Sequence, residues 1–502
     1  MDGVSRQPAA VSLRTLLSDA EIVGADDIVV RHCSSDSRAT RDGDLFAALY
    51  GRNTDGHAFA AEAVNMGASA VLASRPLPGC KVPVCYVPET RQAYGRICQA
   101  LAGDPARKLK TIGVVGAFGK TTTAYLAASA LNAGSRSPGL LTSLGYCDGT
   151  EISDARWTTP PAHVAAAWLA RMVENGRTHA VVEVSARGLI DHRLAGVEFD
   201  CLCVTNLPAE EATAQNRKSC RSSKLRILDQ LAPEGVLIVN ADDPAALELA
   251  DEHSGPVLTI GIDAPAEISA TIIERHRSEQ TLLMSFGREV IPLRTQLLGR
   301  HNVHNLLLAA AVGSVYGLAP TATVRGLEEV RELPGRLERV ECGQPFGVFV
   351  DEGLYPRSLA ACLETLRAAA QGRLLCVVSS SPRHDRVART RLAHCVRDWC
   401  DGAVITSSPA AADATALDDL AAGLQGIGQC SVVADRADAV RRALREALPG
   451  DCVLIAGHGC REYSLEDREQ DYWDDRQVAR EVLYSLQQET TNSATSTTRR
   501  AA

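Results

Sequence analysis

At 502 residues the chain is too long for one hydrophobic core, and 45% apolar with 23% charged residues is the balance of a globular protein of several domains. A net charge of −9 excludes a general nucleic-acid binder, which needs a basic face for the phosphate backbone. Any anionic ligand must then be held by local donors such as helix N-termini and single Arg or Lys residues. Aromatic residues make up only 4%, so the core has to be built from Ala, Val, Leu and Ile. The sixteen cysteines are scattered without a C-x-x-C pair, the pattern of reduced, buried thiols. No apolar stretch approaches the roughly twenty residues of a membrane span. The first ten residues lack the apolar core of a secretory signal, so the expected location is the cytoplasm.

Three segments follow in order. Residues 10–105 hold short apolar runs at Ala70–Ala73 and 82–87, with a helical stretch at 59–66 between turn signals. Residues 106–333 open on a β-branched run, Lys110–Val115, which leads through glycines into an Ala/Leu-rich helix at 121–132. Further strands at His179–Val184, 201–206 and 236–240 make a parallel α/β sheet the economical reading. After Pro334-Gly335 the pattern restarts over 334–488, with strand-like runs at Gly347–Asp351, 373–379, 402–406, 430–434 and 451–456. Their alternation with helical windows is that of a doubly wound domain. Residues 489–502 are rich in Ser, Thr and Asn without an apolar period, and a disordered tail is expected there.

The string Gly116-Ala117-Phe118-Gly119-Lys120-Thr121-Thr122-Thr123 sits between the predicted strand and helix. Glycines there let backbone N–H groups approach phosphate oxygens, and the helix N-terminus adds positive dipole. Lys120 is placed to neutralise β- and γ-phosphates, and the Thr121 hydroxyl to sit on Mg²⁺. Val114 stands where the commonest signature wants another glycine. Glu183, ending a strand about sixty residues on, offers a second magnesium ligand.

Several further strings, taken together, resemble the Mur ligases, most closely the MurE type, over about residues 34–486. In the first segment these are Asp36-Ser37-Arg38, Gly43-Asp44-Leu45-Phe46 and Asp55-Gly56-His57. The middle adds Thr158-Thr159-Pro160, Glu183-Val184-Ser185, His192-Arg193, Thr205-Asn206-Leu207, Lys224 and Asn302 to Asn305; Pro334-Gly335-Arg336 and Asp351 open the third. The resemblance implies an α/β protein of three domains: an N-terminal uridine-nucleotide domain, a central P-loop ATPase-like parallel-sheet domain and a C-terminal Rossmann-like domain. It implies an ATP- and Mg²⁺-dependent, amide-forming ligase that adds an amino acid to a UDP-N-acetylmuramoyl-peptide through an acyl phosphate in peptidoglycan synthesis. It also implies a monomer without nucleic-acid or membrane partners. By resemblance, Gly116, Gly119, Lys120, Thr121, Thr122, Asn302, Asn305, Arg336 and Asp351 would bind ATP. Glu183, Thr121 and Lys224, the last matching the family's carbamylated lysine, would hold magnesium, with Lys120, Lys224 and Glu183 catalytic. Ser37, Thr158, Thr159, Ser185 and Arg193 would hold the uridine-linked sugar and peptide.

The departures cluster where chemistry is expected. Ala117-Phe118 stands for the family's Thr-Asn, Ala186-Arg187 for Ser-His, and Glu210-Glu211 for Asp-His. Glu211 is a candidate substitute ligand, since Mg²⁺ prefers oxygen. Glu352-Gly353-Leu354-Tyr355 replaces Tyr-Ala-His-Thr, Ser407-Ser408-Pro409-Ala410 replaces Asp-Asn-Pro-Arg, and Arg461 replaces an acidic residue. A cation at Arg461 repels a diamino acid and favours a neutral or anionic one. Two readings follow: a ligase with altered amino-acid choice, favoured by the retained Lys120, Thr121, Glu183, Lys224, Asn302 and Arg336, and a catalytically impaired paralogue that binds nucleotide or muropeptide as a scaffold or regulator.

Overall fold

The computed structural model describes residues 10–51, 54–207, 226–276, 278–353, 355–380, 384–408, 414–463 and 471–500. The chain divides into two compact units: Met1–Ser269 with Asn305–Gly326, and Ala270–His304 with Leu327–Ala502.

The first unit begins with a five-stranded sheet: β1 (Glu21–Val23), β2 (Cys33–Ser34), β3 (Leu45–Ala47), β4 (Ala70–Ala73) and β5 (Val84–Tyr86), in the order β1-β5-β4-β3-β2. All neighbours are parallel except β1 with β5. Strand side chains alternate between the faces. Leu45, Ala47, Ala70 and Leu72 pack with Tyr94 and Ile97 of helix α2 (Thr90–Leu101). Phe46, Val71 and Ala73 turn to the opposite face and meet Ala60 and Ala63 of α1 (Ala60–Asn65). Both faces are covered, so these strands read as continuous apolar runs.

The same unit carries the central sheet, in the order β9-β8-β7-β10-β6-β11-β12-β13. These strands are β6 (Lys110–Val115), β7 (Pro138–Thr142), β8 (Gly145–Cys147), β9 (Ile152–Ser153), β10 (His179–Val184), β11 (Phe199–Val204), β12 (Leu231–Asn240) and β13 (Val257–Gly261). From β7 to β13 every pairing is parallel, as the sequence predicts. The chain runs from β6 outward to β7, returns to β10, then crosses to β11 on the other side of β6. The carboxyl end of β6 is therefore a topological switch point, where open α/β sheets form a crevice. Helix α3 (Lys120–Ala133) buries Leu126, Ala127 and Leu131, and α4 (Ala162–Glu174) buries Ala165, Leu169 and Met172. Leu169 is fully buried in the core cluster, so Leu169→Ala is expected to cost about 2–5 kcal/mol, read as a lowered urea midpoint of the first unit.

Two boundaries move. β11 ends at Val204 rather than 206, because Thr205 and Asn206 leave the sheet to bond the glycine loop. β12 starts at Leu231, five residues before the predicted run at 236.

After β14 (Ile268–Arg275), the second unit holds β15 (Gln280–Phe286) and β16 (Glu289–Thr295), which pair antiparallel. This hairpin escapes the sequence reading because only alternate residues such as Leu282, Met284 and Leu293 are buried, too sparse an apolar signal to read as a run. The C-terminal sheet has the order β17-β18-β22-β19-β20-β21, parallel from β18 onward. Its strands are β17 (Glu338–Arg339), β18 (Gly347–Asp351), β19 (Leu374–Val378), β20 (Gly402–Ile405), β21 (Gln429–Val432) and β22 (Cys452–Ala456). Helices α8 (Pro356–Ala369), α9 (Arg386–Trp399), α10 (Ala414–Gly423) and α11 (Arg436–Glu446) are interleaved with these strands, a doubly wound arrangement; α6 (Arg300–Val315) and α7 (Pro320–Glu329) precede them in the chain. The last helix, α12, spans Asp475–Arg500. Ala479, Val482 and Leu483 anchor its first turns in the core. Among the described residues no helix is long and apolar enough to cross a membrane.

Candidate functional site

The glycine loop follows β6 at the switch point. Gly116 has φ +141° and Gly119 φ +81°, conformations that L side chains rarely adopt. A Cβ at Gly116 would collide with Thr205 Oγ, and one at Gly119 with Asn305 Oδ1. Asn206 grips the loop: its Oδ1 accepts from the N–H groups of Ala117 and Phe118 at 3.1 and 3.2 Å, and its Nδ2 donates to the Phe118 carbonyl at 2.8 Å. The Thr205 hydroxyl donates to that carbonyl at 2.6 Å. Helix α3 starts at Lys120 with Gly119 as N-cap and no capping side chain among the described residues. A helix leaves its first N–H groups without intrahelical acceptors, and with the dipole they form an anion cradle.

Glu183 reaches this cradle from the next strand. It is 3% exposed, and its Oε2 accepts from the Thr121 hydroxyl at 2.9 Å and the Ser143 N–H at 3.0 Å. The Thr121 and Ser143 hydroxyls lie 3.0 Å apart. Lys120 Nζ stands 3.9 Å from Glu183 Oε1 and donates to the Ala117 carbonyl at 3.2 Å. A buried carboxylate is stable only when hydrogen-bonded or paired, and here it is both. Two hydroxyls and a carboxylate form an all-oxygen donor set suited to a hard cation such as Mg²⁺. No group of three His, Cys, Asp or Glu side chains able to hold a metal occurs among the described residues. An ion here would need phosphate or water oxygens to complete its shell, which is how Mg²⁺ usually binds. Lys224, Glu210 and Glu211 lie outside the described residues.

Beside Glu183 the turn at Thr158-Thr159-Pro160 is tied to the strand end. The buried Thr159 hydroxyl donates to the Glu183 carbonyl at 2.8 Å and accepts from the Ser185 N–H at 2.9 Å. Ser185 in turn caps the short helix α5 (Ala186–Ile190) through the Gly188 N–H. Arg193 donates to the Thr159 carbonyl at 2.8 Å and pairs with Asp191 at 3.1 Å. Asp191 also meets Arg187 at 2.6 Å and Arg91 at 3.3 Å, collecting three guanidinium groups on one buried carboxylate. Ser37 lies in the small sheet domain, its hydroxyl donating to Glu62 at 3.1 Å. Thr122 is buried in the first turn of α3, and Asn305 accepts from the Thr123 hydroxyl at 3.3 Å. Sequence reasoning missed Ser143 and the roles of Asn206 and Asp191. A small polar residue just past a parallel strand was the one local signal for Ser143.

The second unit holds Asn302, Arg336 and Asp351. Asn302 donates to the Leu298 carbonyl at 2.8 Å. Arg336 pairs with Glu352 at 2.7 Å, so a residue that departs from the family pattern engages one that keeps it. Asp351 accepts from the N–H groups of Leu337 and Gly353 at 2.7 and 2.6 Å, clamping Leu337 at a left-handed φ of +49°. Ser407 and Ser408 follow β20, while Pro409 and Ala410, Leu354 and the Arg461 side chain lie outside the described residues.

Burial pushes the Asp351 carboxyl up to about 6, partly offset by the Arg336 charge. A carboxyl whose pKa is raised on folding binds its proton more tightly when folded. Its contribution favours the fold below the unfolded value of 3.8 and is lost as pH rises through 6. Asp351→Asn, which cannot ionise, should therefore gain on the native chain by about 2.5 kcal/mol between pH 4 and pH 7. Urea unfolding at both pH values checks this.

Fold and loop define a phosphate-loop α/β protein whose site stands at the switch point of a parallel sheet. Three family descriptions match successive stretches: "Mur ligase family, catalytic domain" over 29–101, "Mur ligase middle domain" over 114–313 and "Mur ligase, glutamate ligase domain" over 335–459. A UDP-N-acetylmuramoyl-L-alanyl-D-glutamate–2,6-diaminopimelate ligase of Bacillus cereus is 30% identical over 94% of this chain and 98% of its own length. A UDP-N-acetylmuramyl-tripeptide synthetase of Roseiflexus sp. is 32% identical over 90% of this chain and 94% of its own. A solved diaminopimelate ligase of the same description superposes with TM-score 0.65 at 22% identity, covering 95% of this chain and 100% of that one. The chain belongs to the Mur ligase family and is MurE-like, and it is an ATP-dependent amide-forming ligase.

Proposed function

We propose that this ligase adds a neutral or anionic amino acid to a UDP-N-acetylmuramoyl-dipeptide. The carrying observation is the constellation of Lys120, Thr121 and Glu183 at the N-terminus of α3. Bound ATP with Mg²⁺ supplies the phosphoryl group and the charge-neutralising cation. Lys120 and the first turn of α3 would face the β- and γ-phosphates, and Thr121 and Glu183, with Ser143 beside them, would hold the ion. Asn305, whose Oδ1 lies where a Cβ at Gly119 would fall, would contact the nucleotide. Arg193, fixed by Thr159 and Asp191, faces the peptide carboxylate, with Ser37, Thr158 and Ser185 lining the same ligand.

The substrate carboxylate takes the γ-phosphoryl group as ADP leaves. The incoming amine then attacks the acyl carbon, phosphate departs, and the amine proton is lost. The protein's share is alignment and charge neutralisation. The departure at Ala117-Phe118 is compatible with turnover, because Asn206 holds that stretch through backbone groups that any side chain provides. Ser407 and Ser408 in place of an acidic-amide pair, and Arg461 in place of an acidic residue, support the choice against a diamino acid.

Purified protein, ATP, Mg²⁺ and UDP-N-acetylmuramoyl-Ala-Glu are incubated with a panel of amino acids, and the nucleotide product is weighed. A mass gain with a neutral or acidic amino acid is expected. Gain with diaminopimelate or lysine alone overturns the amino-acid assignment, and neither mass gain nor phosphate release across the panel overturns the ligase.

A further inference from the structure

The first unit has a second opening, at the other end of the central sheet. A cavity of about 770 Å³ is lined by Lys110 at the start of β6, Asp200 near the start of β11, and residues of the connection that precedes β6. The phosphate loop leaves β6 after Val115, so this cavity lies about 16 Å away along the strand. Its volume is that of a small-molecule site. The buried Leu109, Leu194 and Val197 lie beneath a mainly polar lining.

Its charges are unbalanced. Lys110 is neutralised by Asp200 at 2.9 Å, and the Arg96 guanidinium is bonded to the Leu16 carbonyl at 2.7 Å. Arg107, Lys108 and Arg226 also line the cavity, and their side chains make no ion pair or hydrogen bond among the described residues. Against them stand the carboxylates of Glu198 and Asp229. In a chain of net charge −9, a concave surface where three unengaged cations face two carboxylates favours an anion.

The turn through His192, Ala195 and Gly196 also lines the cavity, with His192 held at a left-handed φ of +52°. A Cβ at Gly95 of α2 would come within 2.8 Å of the Ala195 side chain, so helix and turn are in close contact. Arg193 leaves the same turn toward Thr159 and Asp191.

We propose that this cavity is a second anion-binding site, for a small polar anion such as a phosphate compound, separate from the phosphate loop. The inference goes beyond the nucleotide site and does not depend on it. The test uses the full chain and inorganic pyrophosphate, followed by titration calorimetry. In a Lys120→Ala background, which disables the phosphate loop, saturable binding should persist. Adding Arg107→Ala and Lys108→Ala, both exposed positions, should weaken it at least tenfold, while those two changes alone leave ATP-dependent turnover within twofold. Loss of saturable binding in Lys120→Ala itself, or binding unchanged by the Arg107 and Lys108 substitutions, overturns the proposal.

Discussion

Lys120→Ala is expected to lower turnover by about 100- to 1,000-fold, the usual cost of removing one preorganised charge from a phosphoryl-transfer site. Lys120 is the cation beside Glu183 at the N-terminus of α3, and no neighbouring residue in the loop carries a positive charge to take over. Folding should be almost unaffected, because its 3.9 Å contact with Glu183 is loose and Glu183 keeps the Thr121 and Ser143 donors. Two measurements separate the effects: phosphate release under saturating substrates, and thermal shift with ATP. Wild-type protein at 100 times its dissociation constant should gain about 2.7 kcal/mol from the ligand, and the variant much less. Unchanged turnover would remove the loop from the chemistry.

Asp475→Ala is expected to destabilise the second unit by about 3–5 kcal/mol, because it strands a buried guanidinium. Arg436 and Asp475 are 2% and 0% exposed and make two bonds of 2.7 Å. Arg436 also donates to the Ser379 hydroxyl at 3.1 Å and the Ala456 carbonyl at 3.0 Å, just past β19 and at the end of β22. Asp475 also accepts from the Gly459 N–H at 2.9 Å and from Trp473 Nε1 at 2.8 Å. The pair therefore ties together several segments at the carboxyl end of the sheet. Replacing both residues by apolar ones of similar volume should recover much of the loss, since no charge is then left buried alone. Urea midpoints of the single and double variants decide this; a single variant within 1 kcal/mol of wild type would show the pair to be dispensable.

The parts of this molecule legible in the sequence are those whose signal is local. Lys110–Val115 followed by glycines and an Ala/Leu-rich stretch announces strand, loop and helix, because each element needs only its own residues. Glu183 was readable for the same reason, as a carboxylate ending a buried run. Partnerships across the fold were hidden. Asn206 acts on Ala117 and Phe118, about ninety positions away, and Asp191 gathers Arg91 from a different domain. Ser143 is polar, small and unremarkable until β7 is set near β10. The hairpin of β15 and β16 was hidden too, since tertiary packing rather than composition decides it. Glu352 could be read as a departure, but its ion pair with Arg336 required the turn that brings β18 beside Gly335.

The grip of Asn206 on the glycine loop bears on kinetics. A loop already held at both Ala117 and Phe118 has little ordering left to do when a nucleotide arrives. Association should then run near the encounter rate for an oriented site, and nearly all discrimination between nucleotides should appear as residence time. Asn206→Ala would shift that balance, slowing capture and making the loop close around the ligand after contact.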